Sequence, residues 1–422
     1  MMVKKGYKEI KKGIKSFTIP KDWEVKWLNE VADYSGGSQP PKKTFSNENK
    51  EGYIRLYQIR DYTGSKEKPV YIPEEKANKI TKEGDIIIGR YGASLGKVFR
   101  AKEGAYNVAM VKVIPENEKV INDFLLYYFQ SKIFQDRLSI GVRAAQSGFN
   151  KQDWATFAFP LPSLPEQKKI ASILSSVDKA IKKTDEIIEE IKKLKKGLTQ
   201  ELLTKGIGHD EFKETQFGKI PIDWEIQRIN KVGKITGGHT PKKSNDEYWG
   251  GEIPWLTPSQ ITNRIINTIS DTDEHITKEG LESTSVKLLP EGTVMMSSRA
   301  TIGECVINEV PMTTNQGFAN IICDKDKIDN FFLMYLLQYL KEKLIALAGG
   351  STFLEISRSN VKSFNIPVPP LQEQKKLALI LSSVDNIIQK EMEYKDQLKE
   401  LKKGLMQKLL TGKIRVEVDE ED

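Results

Sequence analysis

The sequence predicts an α+β protein in which two related globular α/β domains, here called heads, are joined by a long antiparallel two-helix coiled coil and related by a pseudo-twofold axis. The first observation behind this prediction is that residues 160–204 recur without a gap at residues 367–411, with 27 of the 45 aligned positions identical. The second is that the residues before each copy mix strand and helix patterns and match each other more loosely. An offset of 207 residues is far longer than a solenoid repeat, so we interpret it as a duplicated module.

The duplication divides the chain into four predicted segments. These are a first head with a basic lead-in (1–159), a first long helix (160–206), a second head (207–366), and a second long helix with an acidic tail (367–422). The heads correspond in two short motifs. IPKDWEV at residues 19–25 matches IPIDWEI at 220–226, and a glycine pair at 36–37 matches one at 237–238.

Each head shows the same order of apolar patterns. Runs of β-branched and apolar residues predict buried strands at 84–88 and 292–296, and aromatic and aliphatic runs predict short helices at 124–128 and 331–335. The heads are therefore expected to share one α/β fold.

The duplicated stretch itself predicts a helix. Prolines at alternate positions end the preceding strand, and apolar residues then recur at intervals of three and four, close to the period of a coiled coil. At 1.5 Å per residue, residues 166–204 would extend ~58 Å. Such a helix needs a partner, and without a long return linker the two copies pair antiparallel. The predicted seam, the row of side chains where the helices meet, consists of Ile170, Leu174, Val177, Ile181, Ile188, Ile191, Leu194, Leu198, Leu202, Leu377, Leu381, Val384, Ile388, Leu398, Leu401, Leu405 and Leu409.

Composition favours a cytoplasmic protein. There is no apolar run of membrane-spanning length and no signal-peptide pattern, and the two cysteines argue against a disulfide framework or a zinc site. The net charge of +7 is compatible with a nucleic-acid partner but also with a lysine-rich proteome.

Catalytic signatures are missing from the sequence. The three histidines are isolated, and the Gly-rich segment at 92–97 has the wrong spacing for a phosphate-binding loop. A duplicated enzyme should keep its reactive residues in both heads, and no such shared set is present. We therefore expect no catalytic residues and no bound metal.

Both heads instead carry loops that combine basic, amide, hydroxyl and aromatic side chains. Arginine, glutamine and asparagine can form paired hydrogen bonds with base edges, while lysine and hydroxyl groups mainly hold phosphates. Arg90 and Arg299 follow equivalent predicted strands. The candidate DNA-binding residues are Lys42, Lys43, Tyr57, Gln58, Arg60, Arg90, Tyr91, Ser94, Arg143, Gln146 and Lys151 in the first head, and Lys242, Lys243, Thr257, Ser259, Gln260, Asn263, Arg264, Ser298, Arg299, Thr301, Ser351, Thr352 and Arg358 in the second.

The repeated PLPxLPEQKKIAxILSSVD segment, together with LMQKLLTGKIRV near the end, resembles the specificity subunit of type I restriction–modification enzymes over the whole chain. The resemblance implies a non-catalytic subunit in which each head is a target recognition domain that reads one half of an asymmetric, bipartite double-stranded DNA site. It also implies that the helices fix the gap between the halves and dock two methyltransferase subunits, with restriction/translocase subunits joining them. S-adenosylmethionine, ATP and magnesium are implied for those partners and none for this chain.

Two other classes of function stay open at this point. A coiled-coil scaffold with two protein-binding heads would show no salt-dependent affinity for DNA. A duplicated enzyme such as a nuclease would consume substrate without partners.

Overall fold

The computed structural model describes residues 6–10, 17–64, 66–116, 118–141, 148–262, 264, 267–349 and 354–418. The chain divides into two compact units, each with one head and parts of both long helices. Unit 1 comprises residues 1–183 and 396–422, and unit 2 comprises residues 184–395.

Unit 1 is built on two four-stranded sheets, ordered β4-β11-β8-β9 and β6-β5-β10-β7, with two further strand pairs, β1-β2 and β12-β3. Neighbouring strands are antiparallel except for β5 and β10. The elements are β1 (Tyr7–Ile10), β2 (Phe17–Pro20), β3 (Glu24–Trp27), β4 (Ala32–Gly36), β5 (Tyr53–Tyr57), β6 (Tyr71–Pro73), β7 (Ile80–Thr81), β8 (Ile86–Gly89), β9 (Val98–Arg100), β10 (Gly104–Tyr106), β11 (Met110–Pro115), α1 (Asn122–Gln130), α2 (Lys132–Gly141), α3 (Lys151–Ala155), β12 (Ala158–Leu161) and the long helix α4 (Leu164–Lys205).

Unit 2 repeats this construction with a five-stranded sheet, β16-β23-β20-β21-β18, a three-stranded sheet, β19-β17-β22, and the pairs β13-β14 and β15-β24. The elements are β13 (Phe212–Thr215), β14 (Gly218–Pro221), β15 (Glu225–Arg228), α5 (Ile229–Val232), β16 (Gly233–Gly237), β17 (Trp249–Leu256), β18 (Thr268–Ile269), β19 (Glu274–Ile276), α6 (Lys278–Glu282), β20 (Val294–Ser297), β21 (Cys305–Asn308), β22 (Thr313–Thr314), β23 (Phe318–Cys323), α7 (Asn330–Tyr339), α8 (Lys341–Ala346), α9 (Arg358–Ser363), β24 (Asn365–Val368) and the long helix α10 (Leu371–Leu409).

The central strand of each head is buried on both faces, which explains its unbroken apolar sequence. In β8, Ile86 and Ile88 enter the main core of unit 1, while Ile87 points to a smaller cluster on the opposite face. In β20, Val294 and Met296 face the main core, and the residue between them faces a second cluster. Side chains alternate along a strand, so a strand covered on both faces has no polar side. The predicted strands and the predicted short helices are confirmed.

The Glu-Gln pair that opens each long helix connects the helix to its head. In unit 1, the Gln167 amide oxygen accepts a hydrogen bond from Ile121 N (2.9 Å), and its nitrogen donates to Lys119 O (3.1 Å) and Pro162 O (3.0 Å). Gln167 is fully buried, so these bonds satisfy backbone groups that would otherwise lack water. The side chain thus joins the start of α1 to the start of α4.

Gln374 forms the same set of bonds in unit 2. It accepts from Asp329 N (2.8 Å) and donates to Lys327 O (3.0 Å) and Pro369 O (2.8 Å). The duplicated Glu-Gln motif therefore corresponds to a duplicated contact.

The two long helices run antiparallel, as ion pairs within each unit show. In unit 2, Asp185 pairs with Lys395, and Lys195 Nζ lies 2.5 Å from Asp385 Oδ1. Residue numbers thus rise along one helix as they fall along the other. In unit 1, Asp178 of α4 pairs with Lys402 of α10 at 2.7 Å.

Most of the predicted seam is buried or half-buried, but the prediction is wrong at two equivalent positions. Leu194 is 63% exposed and Leu401 is 51% exposed. The seven-residue spacing instead continues through the next residues, Lys195 and Lys402, which are turned inward and form the ion pairs described above. The seam is therefore apolar at its ends and partly ionic between them.

Candidate nucleic-acid interface

In unit 1, five loops meet at one end of the strands of the sheet β4-β11-β8. Strands β4 and β8 both run antiparallel to β11, so the loops that follow them lie beside the loop that precedes β11. Backbone hydrogen bonds join the loops: Arg90 N to Ala109 O (2.8 Å), Asn107 N to Tyr57 O (3.1 Å) and Gly37 N to Met110 O (3.0 Å). We call this surface edge 1, comprising residues 37–38, 58–60, 90–94, 107–109 and 148–151.

Unit 2 forms the equivalent surface from the same loops. The bonds are His239 N to Thr314 O (2.9 Å), Asn315 N to Leu256 O (2.9 Å) and Ser298 N to Gly317 O (2.8 Å). We call this surface edge 2. It comprises residues 238–240, 257–260, 298–301, 315–317 and 354–358. All of these residues lie within the described part of the chain.

The duplicated glycine pair allows the loops to come this close. A Cβ atom at Gly37 would overlap the carbonyl oxygen of Asn107, and one at Gly238 would overlap that of Asn315. A larger residue would push the loop after β4 or β16 away from its neighbour. The glycines therefore maintain the close approach of the loops at each edge.

Arg90 and Arg299 both follow the central strand of their head, but they are one position apart in register: Ser298 N forms the bond to Gly317 O that Arg90 N forms to Ala109 O, so Arg299 corresponds to Tyr91. The two arginines are also held differently. Arg90 Nε donates to Phe149 O (3.2 Å), and its guanidinium lies 5.2 Å from the Tyr91 ring centroid. Arg299 donates through Nε (3.0 Å) and Nη2 (2.7 Å) to the Glu355 carboxylate. The charge of Arg90 has no carboxylate in these contacts, whereas that of Arg299 is balanced by Glu355.

Other predicted basic residues also have partners within their own unit. Lys151 Nζ lies 2.6 Å from Asp33 Oδ2. Burial would raise the pKa of Asp33, but the hydrogen bond and charge of Lys151 bring that pKa below its usual value. Lys243 pairs with Glu274, and its ammonium lies 3.8 Å from the Trp249 ring centroid.

Several candidate side chains stabilise the loops that carry them. Thr257 N donates to Gln260 Oε1 (3.1 Å), and the hydroxyls of Thr257 and Ser259 lie 2.9 Å apart. Gln58 precedes a short 3-10 helix and donates from its backbone nitrogen to Asp61 (2.7 Å). These bonds shape the turns after β17 and β5.

The remaining candidates differ in exposure. Ser298 is buried and Tyr57 packs partly into a core cluster, while the Ser94 hydroxyl donates to Tyr91 O (2.8 Å). The Thr301 hydroxyl is buried without a hydrogen-bond partner. Lys42, Lys43, Lys242, Arg264 and Arg358 are exposed, as are Lys151, Lys243, Ser259 and Arg299 described above. Arg60 is half-buried and pairs with Glu67, and Arg143, Gln146, Asn263, Ser351 and Thr352 lie outside the described residues.

Sequence reasoning missed the loops that precede β11 and β23. In edge 2, Gln316 is exposed and its amide oxygen accepts a hydrogen bond from the Thr240 hydroxyl. In edge 1, the residue after Asn107 is Val108, which is 45% exposed. The duplicated glycine pairs are the sequence feature that could have pointed to these loops, because Gly37 packs against Asn107 and Gly238 against Asn315.

The described residues contain no group of three or more His, Cys, Asp or Glu side chains placed to bind a metal ion. Within the same residues, no helix has the length and apolar character that a membrane crossing requires.

Comparison with known proteins identifies the family. Residues 20–193 and 221–400 match the model of the type I restriction modification DNA specificity domain, one match for each head with part of a long helix. A putative type I restriction enzyme MjaX specificity subunit from Methanocaldococcus jannaschii is 33% identical over 94% of this chain and 95% of its own length.

Two solved structures share the fold. The type I restriction–modification S subunit from M. genitalium has a TM-score of 0.55 at 17% identity, and covers 92% of this chain and 96% of its own. A chain from a structure concerned with complex assembly and conformational transition of the type I system has a TM-score of 0.58 at 20% identity, covering 94% and 99%. The protein therefore belongs to the type I restriction–modification specificity subunits, the non-catalytic DNA-recognition subunits of these enzymes.

Proposed function

We propose that each head reads one half of a bipartite double-stranded DNA site and that the two halves differ in sequence. The observation that carries this proposal is that edge 1 and edge 2 are built from the same loops but present different chemistry. Val108 stands where edge 2 has Gln316, and Gln58 stands where edge 2 has Thr257. An exposed valine suits contact with a thymine methyl group, while a glutamine amide suits the edge of adenine. Two such surfaces should not prefer the same bases.

We further propose that the long helices set the gap between the half-sites and dock two methyltransferase subunits. In unit 2, Ile387 and Tyr394 are about half exposed and lie seven residues apart, so they share one face of α10. Leu194 of α4 and, in unit 1, Leu401 of α10 are also exposed. Neighbouring apolar side chains exposed on one helix face, such as Ile387 and Tyr394, are a feature of surfaces that bind another protein.

The complete enzyme would also contain restriction/translocase subunits and would act in the cytoplasm. S-adenosylmethionine, ATP and magnesium would be bound by the partner subunits, and this chain would contribute the recognition surface and the docking helices. Assembly with other subunits is the property that the family shares.

The decisive experiment is to co-express the chain with its methyltransferase subunit and map methylated bases on DNA of random sequence. We expect one motif with two different halves and a fixed gap. A Gln316→Ala variant should change the preferred bases in one half only. As a control, Glu189→Ala, an exposed substitution on α4, should leave the motif unchanged. A continuous motif, or a palindrome, would refute the two-head proposal.

The scaffold alternative is not favoured. It predicts that the chain shows no salt-dependent affinity for DNA, whereas a surface that contacts phosphates binds DNA and loses affinity steeply as salt rises. Binding titrations at several salt concentrations distinguish the two.

A further inference from the structure

A three-residue contact links the head of unit 1 to both long helices. The hydroxyl of Tyr127 on α1 donates to Asp178 Oδ2 on α4 (2.9 Å), and Lys402 Nζ on α10 lies 2.7 Å from Asp178 Oδ1. The same ammonium lies 5.2 Å from the Tyr127 ring centroid and donates to Gln130 Oε1 (3.2 Å). We call Tyr127, Asp178 and Lys402 clasp 1.

Unit 2 contains the same contact. The Tyr335 hydroxyl donates to Asp385 Oδ2 (2.7 Å), and Lys195 Nζ lies 2.5 Å from Asp385 Oδ1 and 5.5 Å from the Tyr335 ring centroid. Asn267 adds a further hydrogen bond to Asp385 (2.6 Å). We call Tyr335, Asp385 and Lys195 clasp 2.

The helices exchange roles between the two clasps. In clasp 1 the aspartate is on α4 and the lysine on α10, whereas in clasp 2 the aspartate is on α10 and the lysine on α4. The aspartates are 207 residues apart, and so are the lysines. Each clasp therefore connects one head, the helix that follows it and the helix that returns to it. This contact is the same in both units although the edges differ.

The clasps differ in burial at the aspartate, since the Asp178 side chain is 38% exposed and that of Asp385 only 10%. Both tyrosines are buried, and so is Asp385. Burial, followed by the hydrogen bond and charge of the aspartate, raises the pKa of Tyr127, and burial also raises that of Tyr335, so both hydroxyls stay protonated and donate. Charge-assisted bonds of this kind are short and directional.

Directionality distinguishes the clasps from the surrounding core. In unit 1 the head also packs on the helices through apolar side chains such as Ile170, Leu174 and Leu409. Apolar contact is non-directional and tolerates small rotations. A hydroxyl and an ammonium on one carboxylate hold three segments at fixed angles. Removing the bonds should therefore loosen the orientation of a head more than its attachment.

We propose that the two clasps are positioning devices, which fix the angle of each head on its helix pair and thereby the gap length that the protein accepts between half-sites. This inference rests on the proposed reading of a bipartite site. Tyr127, Asp178 and Lys402, with their counterparts, are thus positioning residues and touch no base.

The test uses Tyr127→Phe and Tyr335→Phe, which keep the buried rings and remove only the hydroxyls. The methyltransferase complex is assayed on DNA with the native half-sites and gaps one base pair shorter, equal and one longer. A hydrogen bond to a charged group corresponds to about a tenfold effect or more, so the preference for the native gap should fall at least about tenfold. The preferred bases in each half should not change. The exposed variant Lys399→Ala on α10 should behave as the unaltered protein.

Rescue separates positioning from simple stabilisation. Asp178→Lys combined with Lys402→Asp restores the ion pair with its charges exchanged, and it should recover more gap preference than either single variant. An equal loss of methylation at all gap lengths, without recovery in the double variant, would overturn the proposal.

A second measurement does not depend on DNA. Spin labels at Glu103 in the head and Ser172 on α4, with Cys305 and Cys323 replaced, report the distance between head and helix within unit 1. Tyr127→Phe should broaden the distance distribution, and an unchanged distribution would refute the clasp. The two proposals can fail separately. If the unaltered protein methylated no bipartite motif while Tyr127→Phe still broadened the distance distribution, the proposed function would fail, but the role of clasp 1 in orienting the head would stand.

Discussion

The carboxylate that opens α4 offers a direct test of how unit 1 is held together. Glu166 is almost fully buried and accepts a hydrogen bond from the Trp23 indole (2.8 Å). Arg415 donates to both of its oxygens, at 2.8 and 3.1 Å, and also pairs with Asp22. Glu166→Ala removes the acceptor and leaves the indole N–H of Trp23 buried without a partner.

The size of the effect follows from burial. Trp23 is 1% exposed, so its unpaired donor costs about 1–3 kcal/mol. The Arg415 side chain is 43% exposed and keeps Asp22, so its contribution is below about 1 kcal/mol. Glu166→Ala should therefore lower the free energy of unfolding of unit 1 by about 1–4 kcal/mol. Glu166→Gln, which can still accept from Trp23, should cost less.

Hydrogen exchange measured peptide by peptide is the suitable assay, because it resolves the two units. Protection should fall in β1, β2 and the end of α10, while peptides of unit 2 keep theirs. Glu189→Ala is the matched control, since Glu189 forms an exposed pair with Lys192 and should contribute less than about 0.5 kcal/mol. Equal effects of Glu166→Ala and Glu189→Ala, or a loss spread evenly over both units, would refute this reasoning.

Three further predictions concern the edges and the exposed helix faces. Arg90→Ala or Arg299→Ala should weaken discrimination in one half-site by about 1–3 kcal/mol, measured by methylation of single-base variants, and equal loss in both halves would contradict the assignment. Ala300 has a left-handed φ of 62°, so Ala300→Gly should raise the free energy of unfolding of unit 2 by about 1 kcal/mol in hydrogen exchange, and a decrease would be unexpected. Leu194→Gln should change stability by less than about 0.5 kcal/mol because the side chain is exposed, yet weaken co-purification of the methyltransferase subunit. Undiminished co-purification would exclude this face as a docking surface.

The helices and the equivalence of the heads could be predicted because both leave periodic or repeated patterns in the sequence. Leu194 and Leu401 were predicted to lie in the seam because they are apolar and close to the expected spacing, but both are exposed. A strict seven-residue spacing passes through Thr184, Lys195 and Lys402, which are polar. Pattern alone could not show that these lysines turn inward, because their aspartate partners lie on the other helix.

The edges could be predicted only in part for a related reason. A loop residue after a strand, such as Arg90, is marked by the strand that precedes it. Asn315 and Gln316 lie in a short segment whose place is set by backbone bonds to distant strands, and nothing in the local sequence distinguishes it. The partner of Arg299, Glu355, is likewise 56 residues away.

Some contacts are duplicated in the two units and others are not. This difference separates the residues that orient a head on its helices from those that recognise DNA. Gln167 and Gln374 form the same three hydrogen bonds, and the two clasps repeat residue for residue with the helices exchanged. The edges keep their glycines, their backbone bonds and one asparagine (Asn107 and Asn315), while side chains such as Val108 and Gln316 differ. A change of specificity should therefore require substitutions only on an edge, because the contacts that hold a head on the helices do not depend on which bases are read. Exchanging Val108 and Gln316 between the edges should alter the bases chosen in each half and leave the gap unchanged, whereas a change in gap would mean that recognition and orientation are coupled.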